Sequence, residues 1–166
     1  MDKVTPHGDA ELAVEPDHQM KSSVPRTRRD WAHRYATDLG WYVVVAHEFA
    51  GGKCSCGRSD CPSPAKHPRT RNGFKDATND PKQIDDWFAK SPTANIGIRT
   101  GAESKIVVID IDPGHDGVDG LKEIEERLGP LTPTLTATSG GGGKHYYFKH
   151  LWGVTKLLPH SACSQA

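Results

Sequence analysis

An α+β domain with a mainly antiparallel sheet is the fold class this sequence predicts. The first observation is the order of patterns: helix, strand, long loop, helix, two strands, helix, two strands. The second is that the paired strands are joined by short turns, Thr100–Ser104 and Ser139–Gly143, which suit hairpins rather than crossovers. The third is length, since 166 residues make one domain with room for a tail.

Composition sets the outer limits. Hydrophobic content of 35% and charged content of 25% describe an ordinary globular chain. Lys+Arg and Asp+Glu both number 21, so any basic surface has to be local. No apolar run approaches the ~18 residues of a membrane span, and no apolar signal segment opens the chain. The expectation is a cytoplasmic protein without a membrane partner, where cysteines serve more often as ligands than as disulfides.

Residues 1–27 carry scattered charge, three prolines and no apolar period, and are expected to form a disordered leader. From about Arg29, Trp31, Tyr35 and Leu39 share one helical stripe with Ala32 and Ala36 beside it, and Gly40 is a stop. That spacing makes the aromatics core residues rather than a stacking platform for bases. Trp41 to Ala46 reads as a strand, and Gly51 to Gly73 as a loop. Asp80 and Pro81 cap a helix with Ile84, Trp87 and Phe88 on its apolar face. Asn95 to Arg99 is a short strand with Ile96 and Ile98 on one face. Ile106 to Ile111 is a run of branched residues expected to be a buried, central strand. Val118, Leu121, Ile124 and Leu128 mark the last helix, which Gly129-Pro130 ends. Thr134 to Thr138 and Lys144 to Lys149 are the closing strands.

The loop holds Cys54, Cys56, Cys61 and His67 within fourteen residues. Three thiols and an imidazole are a tetrahedral zinc set. Another fourth ligand is open, with His47 the nearest, and free thiols in a flexible loop are the plain alternative. Cys163 stands apart in the tail. Lys53, Arg58, Lys66, Arg69 and Arg71 either hold a nucleic-acid backbone or form a solvated surface.

The central strand ends in Asp110-Ile111-Asp112-Pro113. Carboxylates at i and i+2 of a strand share a face, and two of them side by side favour a cation between them. Mg²⁺ takes such oxygen ligands together with substrate phosphates. The plain alternative is a strand ending in two turn-forming aspartates. Ser139, four glycines, Lys144 and His145 join the last two strands; glycines bring N–H groups close to a phosphate and Lys144 adds charge. Together these pieces describe a site for metal–triphosphate chemistry.

With these motifs in order, the chain from about Trp31 to Lys149 resembles the bifunctional DNA primase/polymerase family of the archaeo-eukaryotic primase superfamily. The resemblance rests on the Cys/His loop ending Ala65-Lys66-His67-Pro68, on Gly73 to Thr78, on Asn95 to Gly101, on Asp110 to Pro113, and on Ser139 to Phe148. It implies an RRM-like core beside a small N-terminal α/β unit, over residues 28–149. It implies that Asp110 and Asp112 bind catalytic Mg²⁺ or Mn²⁺, that His145 contacts the incoming triphosphate with Ser139 and Lys144 beside it, and that Cys54, Cys56, Cys61 and His67 hold zinc. The implied substrates are a DNA template and nucleoside triphosphates. Such proteins occur in phages, plasmids and mobile elements, often ahead of a helicase domain.

One departure is expected to matter. The family has a further metal-binding aspartate beyond the histidine, whereas no Asp or Glu follows His145 here. Residues 150–166 also leave the pattern, so a C-terminally truncated, impaired enzyme is the expectation. The alternatives are a non-enzymatic, zinc-containing nucleic-acid-binding remnant and, below it, a nucleotide-sugar transferase, which also holds a metal–diphosphate on a strand-end Asp-x-Asp.

Overall fold

A computed structural model describes residues 24–151. Most of the expected leader and tail, with Cys163, lies outside the described residues. The described chain forms two compact units, one ending at Ile106 and the other running from Val107 to Leu151. The fold is mixed helix and sheet, with the strands divided among three small sheets rather than one.

The first unit opens with α1 (Arg28–Thr37). Thr27 Oγ1 accepts from the Asp30 N–H at 3.1 Å, and the Asp30 carboxylate accepts from the Thr27 N–H at 3.0 Å. This reciprocal cap satisfies two donors that the first helical turn leaves open. The buried stripe is Ala32 and Ala36, not the aromatics. Small side chains let a helix approach its neighbours closely, and wide rings are displaced to the flank. There Tyr35 stacks on Trp41, centroids 5.8 Å apart, and Trp31 packs tilted against Tyr35 at 5.7 Å.

β1 (Tyr42–Ala46) pairs antiparallel with β4 (Asn95–Arg99), Val43 opposite Ile98 and Val45 opposite Ile96. Helix α2 (Pro81–Lys90) begins as expected, with the Asp80 carboxylate accepting from the Lys82 N–H at 3.0 Å and Pro81 at the first position. Its Ile84 and Phe88 join Ala32, Ala36, Val43, Val45 and Ala94 in one core, which Trp87 and Ile96 border. After β4, the buried Ser104 closes a turn; its hydroxyl donates to the Arg99 carbonyl and accepts from the Tyr42 N–H.

The expected loop contains a hairpin. β2 (Phe49–Ala50) and β3 (Lys53–Cys54) are joined by Gly51 and Gly52, at φ 57° and 79°. Two consecutive positive φ values define a type I′ turn, which twists with the strands it joins.

The second unit contains β5 (Ile106–Ile111) from Val107 onward, α3 (Gly117–Leu128), β6 (Thr136–Thr138) and β7 (Lys144–Lys149). The sheet order is β5-β7-β6, with β6 and β7 antiparallel. Two expectations need correction. Among the described residues β5 is an edge strand, and only its first residue, Ile106, is buried. The stripe on α3 exists, but Val118, Ile124 and Leu128 are exposed. Periodicity identified the stripe; it does not say what covers it.

Asp85 of α2 ties the two helices of the first unit together, 2.7 Å from His33 Nε2 and 3.1 Å from Arg29 Nε. The hydrogen bond from His33, opposed by desolvation and aided by the charges of His33 and Arg29, holds its carboxyl below the usual range. A carboxyl depressed in the folded state stabilises above its unfolded pKa and loses that contribution as pH falls through the folded value. Asp85→Asn should therefore lower the urea midpoint at pH 6, and the gap from wild type should close once pH drops below about 4. A gap of equal size at both ends would mean that the pair does not couple the helices electrostatically.

Candidate functional site

The cysteine loop is built on the hairpin. Cys54 ends β3 and is buried, while Cys56 and Cys61 are half-buried. Their sulfurs and a ring nitrogen of His67 lie within 4.8 Å of one another. Cys54 Sγ and Cys61 Sγ are each 3.5 Å from His67 Nε2. With Zn–S near 2.3 Å and Zn–N near 2.0–2.1 Å, a tetrahedral S···N edge is about 3.5 Å. The donor set and its spacing thus fit a zinc ion. His67, not His47, belongs to the group; His47 Nδ1 is engaged with Ser55 Oγ at 2.9 Å.

The surrounding backbone is shaped for this cluster. Ala65 sits at φ 61°, a left-handed conformation that costs energy in a residue with a Cβ. There its N–H donates to Cys54 Sγ at 3.4 Å. That hydrogen bond leads the causes that bring the Cys54 thiol down to about 6, so a thiolate is available near neutrality. Burial pushes the Cys61 thiol the other way. The far end of the loop is pinned to β1: His47 N–H donates to the His67 carbonyl and Arg69 N–H to the Val45 carbonyl, both at 2.9 Å. The Asn95 amide donates to both the His47 and Ala65 carbonyls, at 3.0 and 3.1 Å.

The basic residues of the loop divide. Arg69 turns inward to Glu48 at 2.8 Å and to Ser55 Oγ at 3.1 Å. Burial opposes ionisation of Glu48, but the Ser55 hydroxyl and Arg69 outweigh it and hold the carboxyl low. Arg58 lies 3.6 Å from Asp60, and Lys53, Lys66 and Arg71 face solvent.

The second unit brings Asp110 and His145 together. They lie on neighbouring strands, with His145 Nε2 3.4 Å from Asp110 Oδ1. Asp112 stands just past the end of β5, yet its φ and ψ of −97° and 115° are still extended. Alternation therefore carries through, and Asp112 follows Asp110 on the same side of the backbone. The Asp112 carboxylate accepts from the Gly114 N–H at 2.9 Å.

The glycine turn is a fixed structure. Ser139 N–H donates to the Gly143 carbonyl at 2.8 Å, and Ser139 Oγ accepts from the Gly143 N–H at 3.0 Å. Ser139 thus holds the turn with the oxygen that the sequence suggested for nucleotide binding. Lys144 and His145 are adjacent in β7, so their side chains leave on opposite faces. Gly143 is buried, and a Cβ there would lie 2.9 Å from the Ile111 carbonyl oxygen and 3.0 Å from Ser139 Oγ. The turn can approach the end of β5 only with glycine at this position. Gly143→Ala should cost about 1–3 kcal/mol by overpacking and move His145 away from Asp110. Denaturant midpoints together with metal–nucleotide titration would show both losses; a variant equal to wild type in each would contradict this account.

A mixed helix and sheet chain with a cysteine–histidine metal group defines the general class. The model of one family, "Bifunctional DNA primase/polymerase, N-terminal", matches residues 32–163. The chain belongs to that family. No curated protein and no solved structure matches it. Among the described residues no helix is long and apolar enough to cross a membrane.

Proposed function

We propose that this chain performs metal-dependent, template-directed nucleotidyl transfer from nucleoside triphosphates to DNA, in the cytoplasm. The observation that carries the reading is the meeting of Asp110 and His145 at 3.4 Å on adjacent strands, with Asp112 two residues further along. Asp110 and Asp112 would hold Mg²⁺ or Mn²⁺, which when bound offsets charge on the phosphates. His145 would donate a hydrogen bond to the triphosphate and so orient it. The glycine turn would add N–H donors, and Cys54, Cys56, Cys61 and His67 would hold zinc.

The strand order supports an RRM-like core. A β-α-β-β run in which the third strand lies between the first and the second is one half of a split βαβ sheet. β5, α3, β6 and β7 follow that scheme.

The test is incorporation of labelled nucleotide on a primed single-stranded template, with Mg²⁺ or Mn²⁺ and with chelator. Incorporation that needs template and metal is expected. Zinc-dependent DNA binding with no incorporation under any metal would instead favour a non-enzymatic nucleic-acid-binding protein.

A further inference from the structure

An open groove of about 290 Å³ lies in the first unit between α1 and β4. Ile96 and Ile98 line it from β4, and Trp31, Tyr35 and Arg28 from α1.

Trp31 is the outer ring of a stack anchored in the protein. Trp41 is buried, Tyr35 stacks on it, and Trp31 follows at 5.7 Å while remaining 37% exposed. A ring packed against its neighbour and partly exposed needs little ordering on binding. Arg28 lies one helical turn before Trp31 and gives one donor to the Thr93 carbonyl. A guanidinium has five donors, so others can serve a phosphate. Arg28 is the charged residue that lines the groove, in a chain whose formal charge is zero.

A partly exposed aromatic ring beside a guanidinium suits an unpaired base and its phosphate. We infer that this groove is a single-stranded DNA site, with one unpaired base stacking on Trp31 and its phosphate meeting Arg28. Among the described residues β4 pairs only with β1, so a peptide strand is the competing occupant. The Arg28 guanidinium and the partly exposed Trp31 ring in the groove favour nucleic acid. Resting on the reading above, the inference gives the template strand a second point of attachment.

The test uses the full chain and a fluorescein-labelled short oligothymidylate, read by anisotropy. Trp31→Ala should weaken binding about 5- to 100-fold, and Trp31→Phe should recover most of it. Arg28→Ala should weaken binding and reduce the salt slope by about 0.7. A duplex of equal length should lose little on Trp31→Ala, because its bases are already stacked. Wild-type protein photocrosslinked to an iodouracil-substituted strand should carry the adduct on Trp31, which removes dependence on how the variants fold. Wild-type affinity in Trp31→Ala with adducts elsewhere, or equal losses for single strand and duplex, would overturn the site. So would a groove filled only by peptide. Titration of Mg²⁺–nucleoside triphosphate without oligonucleotide is read separately, so failure of the nucleotidyl-transfer reading and failure of the groove are distinct results.

Discussion

Cys54→Ser protein should purify without zinc and with residues 51–73 open to protease, whereas wild type should carry about one zinc per chain. The donor atoms already stand at zinc spacing, with both S···N distances at 3.5 Å. Cys54 is the ligand with most to lose. It is buried, and the Ala65 N–H is aimed at its sulfur. A thiol that titrates near 6 gives up its proton readily, so proton release opposes metal binding little at neutral pH. Structural zinc contributes on the order of 10 kcal/mol to small domains that depend on it. Ala65 holds a strained backbone angle that the cluster helps to maintain. Without the ion that strain favours opening, and the thiols and imidazole lose their common partner. Elemental analysis and timed proteolysis read the two effects. Metal-free wild type with an equally resistant loop would show that the cluster is not a zinc site.

The second large effect concerns Asp110. Asp110→Asn should reduce template-dependent incorporation by about a hundredfold or more, the scale seen when a preorganised electrostatic contact is lost. It should also abolish the mutual tightening of Mg²⁺ and triphosphate binding, because phosphate and carboxylate oxygens complete one coordination shell. The fold should survive, since the Asp110 side chain is 66% exposed and Asn keeps its shape. Removing the charge also relieves repulsion from Asp112. His145→Ala should cost less, and the double variant should lose less than the two effects combined, because the groups touch. Unchanged incorporation in Asp110→Asn would move the site elsewhere.

Much of this was legible in the sequence where local chemistry decides the outcome. Asp80-Pro81 located the start of α2, and its apolar stripe identified Ile84 and Phe88. β4 and β7 have the boundaries their residues suggested. The grouping of Cys54, Cys56, Cys61 and His67 was legible because three thiols and an imidazole in one loop make a metal-binding set. What was hidden depends on neighbours. Trp31 and Ala32 lie about 100° apart on the helix, and only packing decides which of them faces inward. The Asp110–His145 contact joins strands far apart in sequence, which no local pattern reveals. Other misses had signals: the Gly51-Gly52 pair marks a tight hairpin turn, and Thr27-x-x-Asp30 marks a cap.

The double hydrogen bond from Asn95 has a consequence for how the first unit opens. Both amide hydrogens of one side chain on β4 reach carbonyls elsewhere, one at the end of β1 and one in the cysteine loop. The loop cannot swing away without releasing the sheet, and β4 cannot fray without releasing the loop. Segments linked in this way behave as one cooperative unit, with a shared opening free energy. Backbone amides around Ala65 and those at the Asn95 end of the β1–β4 ladder should then exchange with solvent deuterium at matched protection. A loop that local sequence would place among the fastest-exchanging segments takes on the slow breathing of the sheet.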